Sequence, residues 1–397
     1  MVKIARRNRA PNRLYGAALA LVKITAAGDS GPVRVSVRFV RRPSEFPVVL
    51  LYQALRQGFC VDQFQPHRLL RNAHLMTLAG ALLPRRAPAL PRACDRLFEV
   101  EPGTRLLARC HWQREPRQSP ALIVVHGLEG SSESGYMRGL AAAAFASGFS
   151  VLRINQRNCG GTDGLTPTLY NSGLSADFRA VLFELIEQDA LPRIFFAGYS
   201  MGGNLVLKMA GELGDASPPQ LCGVSAVCPT LDLAACVDAI ARPENRLYQW
   251  HFVRQLKSRM RRKARLFPGR FELNGLGRVR TVREFDDAIT APCCGYANAA
   301  EYYQRASALR VADRVAVPAL IITSKDDPVV PFDAFLSPQI AGNLHIQVLA
   351  PEFGGHCAFI SRSRGPERYW AEARIVEFCI ALARSRPLPQ ANLGRSR

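Results

Sequence analysis

The stretch RIFFAGYSMGGNLVLK, residues 193–208, constrains this chain more than any other. An apolar, strand-like run stops at Gly198-Tyr199-Ser200-Met201-Gly202, and a helix-like run begins at once. A serine flanked by glycines two residues before and two after, at a strand-to-helix junction, fits a turn so sharp that larger side chains at the flanking positions would collide. Such a turn holds Ser200 out of the backbone at a helix N-terminus, where developing negative charge is favoured.

The surroundings carry the same rhythm. RLFEV and TRLLARCHW read as an antiparallel pair turning at Pro102-Gly103. ALIVVHG is an unbroken apolar run, as in a strand buried on both faces, and SGYMRGLAAAAFASG is a helix ended by Gly148. FSVLRIN, RIFFAGYS and LCGVSAVCP read as further strands. SADFRAVLFELIEQ reads as a helix with Ser175 as its cap. Strand and helix alternating in this way predict an α/β fold, a mostly parallel sheet with helices on both faces. The alternation breaks between about 233 and 307, where the pattern is helical and basic. It resumes at PALIITSKDDPVVP, LHIQVLAPEFGGH and YWAEARIVEFCIALA. A helical insertion late in a parallel sheet lies where a cap over a pocket is expected. The expected organisation is an Arg-rich, loosely packed extension over 1–60, one domain over 64–382 with the cap inside it, and a loose tail over 385–397.

A serine hydroxyl needs a base within hydrogen-bond reach and an acid to orient that base. His356, in EFGGHCAF, follows a strand. Asp326 and Asp327, in SKDDPVVP, stand at the end of the strand before it, so the chain order is Ser, Asp, His. Asp327 is preferred as the acid because D-x-x-x-P is counted from it, and Asp326 is the alternative. A tetrahedral intermediate needs two backbone donors. The amide of Met201, after the serine, is one, and the amide of Leu128 in HGLEGSS is the other. His126 is expected to stabilise that loop. His67, His74, His111, His251 and His345 are expected to be structural or exposed.

Composition narrows the class. Hydrophobic residues make up 48 % and charged residues 21 %, ordinary for a globular protein, and no apolar run reaches the ~18 residues of a spanning helix. The 11 cysteines show no CxxC pair and no Cys/His spacing suited to zinc, so they are expected to be reduced and the protein cytoplasmic. No metal or other cofactor is expected. The net charge of +20 gathers in two places, Arg6 to Arg42 and Arg254 to Arg283. No nucleic-acid-binding motif accompanies either, so no nucleic-acid partner is expected, whereas peripheral contact with an anionic membrane fits the charge. In the insertion, Leu247, Trp250, Val253, Leu256, Met260 and Ala264 recur at helical spacing, which predicts an apolar inner face and a cationic outer face.

LRNAHLMTL, HGLEGSSESGYMRGL, NQRNCGGTDGLTPTLYNSG, GYSMGGNLVLK, REFDDAITAPCCGYANAAEYYQRAS, SKDDPVVP and GGHCAF, in this order, resemble the signatures of the YheT-like α/β-hydrolases over about residues 64–382. The resemblance implies an α/β-hydrolase core, a triad of Ser200, Asp327 and His356, and activity on carboxylic esters of short or medium acyl chains or on acylglycerols. Acyl transfer or thioester hydrolysis would use the same residues. A non-catalytic binding protein on a hydrolase scaffold is the alternative of another class. Oligomeric state is not legible in the sequence.

Overall fold

The computed structural model describes residues 20–25, 34–39, 64–85 and 89–385. The chain divides into two units, Met1–Val61 and Asp62–Arg397. In the first, β1 (Ala20–Thr25) and β2 (Arg34–Phe39) form an antiparallel pair. The rest of the N-terminal extension, most of its arginines and the tail beyond Ser385 lie outside the described residues.

The second unit is built on an eight-stranded sheet. β3 (Cys94–Glu101) and β4 (Thr104–His111) are the expected antiparallel pair at one edge, and Gly103 in their turn has φ 73°. Next come β5 (Ala121–Val125), β6 (Ser150–Asn155), β7 (Ile194–Tyr199), β8 (Leu221–Val227), β9 (Ala319–Ile322) and β10 (Ile346–Leu349). The order across the sheet is β10-β9-β8-β7-β5-β6-β4-β3, and all pairs from β6 to β10 are parallel. β5 to β9 are buried along their whole length, which is why their sequences are apolar without alternation.

Helices cover both faces. Four used below are α1 (Ala73–Leu82), α2 (Gly135–Ala146), α3 (Ser175–Glu187) and α4 (Met201–Leu213). Gly148, φ 88°, follows α2 as expected. Ser175 does not cap α3. It is the first helical residue, Leu174 stands in the cap position, and the Ser175 hydroxyl is drawn instead to the Glu212 carboxylate of α4. Between β8 and β9 lie α5 (Leu233–Ile240), the 21-residue α6 (Arg246–Leu266) and α7 (Ala299–Ala306).

The inner face of α6 differs from the expectation. Val253, Leu256 and Met260 are buried, but Leu247 and Trp250 are exposed. Arg259 and Lys263 are buried in line with the apolar residues. The Lys263 ammonium donates to the carbonyls of Asp163 and Thr166, and burial draws its pKa down to about 8. A long aliphatic stem lets a cation share an apolar face when backbone acceptors meet its end.

Candidate active site

All the candidate loops leave the sheet at the carboxyl ends of its parallel strands. Ser200 follows β7, and its φ of 53° lies in the left-handed region that few non-glycine residues adopt. Two features hold it there. Its amide donates to the Val227 carbonyl at 2.8 Å, and the flanking glycines leave no room to relax. A Cβ on Gly198 would overlap the Gly202 carbonyl, and one on Gly202 would lie 2.5 Å from the carbonyl oxygens of Val125 and His126. The glycine spacing is therefore set by strand, turn and helix passing within backbone contact.

His356 Nε2 stands 3.0 Å from Ser200 Oγ, and His356 Nδ1 stands 2.9 Å from Asp327 Oδ2. The Asp327 side chain is fully buried and its Oδ1 also accepts from the amides of Val329 and Val330, which fixes the carboxylate behind the ring. Asp326 turns the other way and accepts from the Gly355 amide at 3.0 Å, tying together the two loops that carry the acid and the base. The His356 amide donates to Thr77 Oγ1 of α1 at 2.8 Å. Burial works against an imidazolium at His356, but the Asp327 carboxylate outweighs it and raises the pKa above the ordinary histidine value.

The loop after β5 runs against the serine. A Cβ on Gly127 would meet Ser200 Cβ at 3.1 Å. Leu128 follows and lines the same chamber as Ser200 and Met201. His126 is fully buried, with Nδ1 2.7 Å from the Gly127 carbonyl and Nε2 accepting from the Gln156 amide at 3.1 Å. Burial holds it neutral, with a pKa drawn down to about 4. It stabilises the loop, as expected. Asn155, the last residue of β6, accepts from the Ser132 amide at 2.7 Å. Of the other histidines, His74 meets the Tyr248 hydroxyl of α6 at 3.1 Å.

A chamber of about 840 Å³, part of it open to solvent, adjoins Ser200. Its walls are mostly apolar, with Leu169, Leu233, Val237, Phe252 and Met260 among them. Two polar groups in the wall escaped the sequence reading. Arg259 of α6 pairs with Glu129 at 2.8 Å and lies 4.2 Å over the Tyr170 ring. Asp286, in a single π-helical turn (Asp286–Thr290), accepts from Tyr303 Oη at 2.8 Å, and burial raises its pKa to about 6. The DD pair of REFDDAIT and the YY pair of EYYQR were the available signals, though nothing in their spacing links them.

This sheet order, the left-handed serine at a strand-to-helix turn and the histidine and aspartate from the last two strand ends define an α/β hydrolase. A family model described as alpha/beta hydrolase fold matches residues 120–363. The YheT protein of Escherichia coli is 33 % identical over 326 residues, covering 80 % of this chain and 92 % of its own length. The medium-chain fatty acid ethyl ester synthase/esterase 2 of Saccharomyces cerevisiae is 28 % identical over 285 residues, covering 65 % of this chain but only 61 % of the yeast protein. Among solved structures, 2,6-dihydroxy-pseudo-oxynicotine hydrolase matches with a TM-score of 0.50 at 16 % identity, over 80 % of this chain and 74 % of that one, a likeness of fold. The chain belongs to the α/β-hydrolase family, in its YheT-like branch.

Proposed function

We propose that the protein is a serine hydrolase of carboxylic esters, with Ser200 as nucleophile, His356 as general base and then acid, and Asp327 as the residue that orients the imidazole. The observation that carries this reading is the approach of His356 Nε2 to Ser200 Oγ, 3.0 Å, with Asp327 held against the other ring nitrogen. In the tautomer Asp327 imposes, Nδ1 carries the proton and Nε2 has the free lone pair. Ser200 Oγ attacks the ester carbonyl carbon as its proton passes to Nε2. The carbonyl oxygen gains charge against the amides of Met201 and Leu128, neither of which donates to another group among the described residues. Nε2 then gives its proton to the leaving alcohol, and the acyl group remains on Ser200. Water, deprotonated by His356, releases the acid.

The apolar chamber beside Ser200 favours an acyl chain as the part of the substrate held there, and the yeast relative's name points to medium length. That name, a synthase as well as an esterase, also favours a second reading in which an alcohol replaces water in the last step. The same residues serve both. Membrane-held esters are the substrates toward which the exposed basic residues of α6 would draw the protein.

A fluorophosphonate probe tests the chemistry. It labels the wild type, and Ser200→Ala abolishes both labelling and hydrolysis of p-nitrophenyl esters. Each added methylene that the chamber buries contributes about 0.8 kcal/mol, so kcat/KM rises roughly fourfold per CH₂ until the chamber is full. A well-folded wild type that takes no label would end the hydrolase reading.

A further inference from the structure

Two cysteines converge on His356 from different parts of the chain. Cys228 directly follows β8 and Cys357 directly follows His356. Their Sγ atoms and a ring nitrogen of His356 all lie within 4.8 Å of one another, and no other group of three His, Cys, Asp or Glu residues comes so close among the described residues. We propose that Cys228, His356 and Cys357 form a binding site for zinc or a similar thiophilic divalent ion, and that filling it switches the hydrolase off.

The distances suit the chemistry. A tetrahedral zinc with bonds of about 2.3 Å to sulfur and about 2.0 Å to nitrogen sets its ligand atoms about 3.5–3.8 Å apart. Pairs of the three atoms need to close by at most about 1.3 Å, within reach of small side-chain rotations. The thiols are held loosely. Cys228 Sγ faces the Gly355 carbonyl at 3.8 Å and Cys357 Sγ the Val227 carbonyl at 3.6 Å, both long contacts that deprotonation releases. The Cys357 amide donates to Cys228 Sγ at 3.3 Å, a bond that strengthens when the sulfur becomes a thiolate.

Charge balance favours the filled state. Both thiol protons leave to solvent as the ion binds. Two thiolates, a neutral imidazole and a dication sum to zero, so filling the site adds no charge to a pocket that already holds the Asp327 carboxylate against His356. The backbone is also unusual here. Cys228 has φ 44° and Cys357 φ 61°, left-handed positions at which a side chain is strained and glycine would fit more easily. Cys228 is fully buried, whereas His356 and Cys357 are partly exposed, so an ion enters past them.

Inhibition follows from the ligand. If the ion takes Nε2, the lone pair that accepts the Ser200 proton is gone. If it takes Nδ1, the hydrogen bond to Asp327 is broken. This inhibitory half rests on the hydrolase reading above, and the binding half does not.

Cobalt titration of the whole protein separates the two halves. One equivalent of Co²⁺ produces thiolate-to-metal charge-transfer absorption, which Zn²⁺ displaces. Zn²⁺ suppresses p-nitrophenyl ester hydrolysis and EDTA restores it. Cys228→Ala and Cys357→Ala each raise the zinc concentration for half inhibition by about 100-fold and remove the absorption, as loss of a ligand requires. The paired Cys293→Ala/Cys294→Ala variant keeps both effects. If Cys228→Ala does not fold, the partly exposed Cys357→Ala decides alone. Equal zinc inhibition in wild type and Cys357→Ala, or no charge-transfer absorption, overturns the site. Absorption with undiminished hydrolysis overturns the switch. Absorption in a protein that cleaves no ester supports the site and removes the hydrolase reading instead.

Discussion

Arg259, in the middle of a cap helix, pairs at 2.8 Å with Glu129, the residue directly after the second candidate oxyanion donor. Both side chains are buried, and the Tyr170 hydroxyl completes the cluster by donating to the Glu129 carboxylate at 2.7 Å and accepting from the Glu129 amide at 3.2 Å. Glu129 has φ 57°, so the cluster holds a strained turn whose relaxation would swing the Leu128 amide. Arg259→Met leaves a buried carboxylate without its partner and is expected to destabilise the fold by about 3–5 kcal/mol. It is also expected to lower kcat more than it raises KM. Arg259→Met/Glu129→Gln recovers much of the stability, and a double-mutant cycle by urea unfolding measures the coupling. Additive losses in that cycle would deny the tie between cap and loop.

Asp327 and Asp326 are neighbours with different work, and asparagine separates them. Asp327→Asn lowers kcat by about 10⁴-fold, because the amide no longer enforces the tautomer that leaves Nε2 free. The carboxylate raises the His356 pKa, so the wild-type base is free of its proton only above the ordinary histidine range. Removing that charge lets the proton leave more easily, and the acid limb of kcat/KM moves to lower pH. Asp326→Asn keeps the limb in place and lowers kcat by no more than about tenfold. A pH–rate series on both variants decides, and a larger loss at Asp326 would reverse the assignment.

Gly198 tolerates no side chain. Gly198→Ala sets its methyl against the Gly202 carbonyl, which separates strand from helix and costs about 3 kcal/mol. Gly164→Ala is the control, since nothing lies within 4 Å of the added carbon, and its effect is within about 0.5 kcal/mol. Thermal unfolding of the two variants tests the contrast.

Asp286 makes stability depend on pH in a direction opposite to that of a paired carboxylate. Burial raises its pKa from the ordinary 3.8 to about 6, so the folded chain holds the proton more tightly than the unfolded one. Its contribution is fully present below 3.8 and is lost as pH rises through about 6. Asp286→Asn keeps an acceptor for the Tyr303 hydroxyl and cannot ionise. Its Tm, measured against wild type, is expected to gain more at pH 8 than at pH 5. An equal difference at both pH values would mean that the carboxyl is not held protonated.

The legibility of the site followed the range of its causes. Gly198 and Gly202 mark Ser200 because the collision they avoid involves residues a few positions apart or the next strand. D-x-x-x-P and GGH mark Asp327 and His356 because each loop has its own local turn chemistry. Ser175 misled, since a serine before an apolar run looks the same whether it caps a helix or begins it. Arg259 and Lys263 looked like outward charges for a different reason: their partners Glu129 and Asp163 lie 130 and 100 residues away, and no periodicity within α6 records them. Cys228 and Cys357, 129 apart, are invisible to any spacing rule for the same cause.

The cap elements α5, α6 and α7 form one uninterrupted run of chain between β8 and β9, while the proposed nucleophile, acid and base come from other loops. On the proposed function, selectivity and reactivity are carried on separable text, and a transplanted cap could retune the first without rewriting the second. Arg259 sets the condition on such a graft: any foreign cap must arrive with a cation at that spot, or the donor loop beneath it loses its anchor.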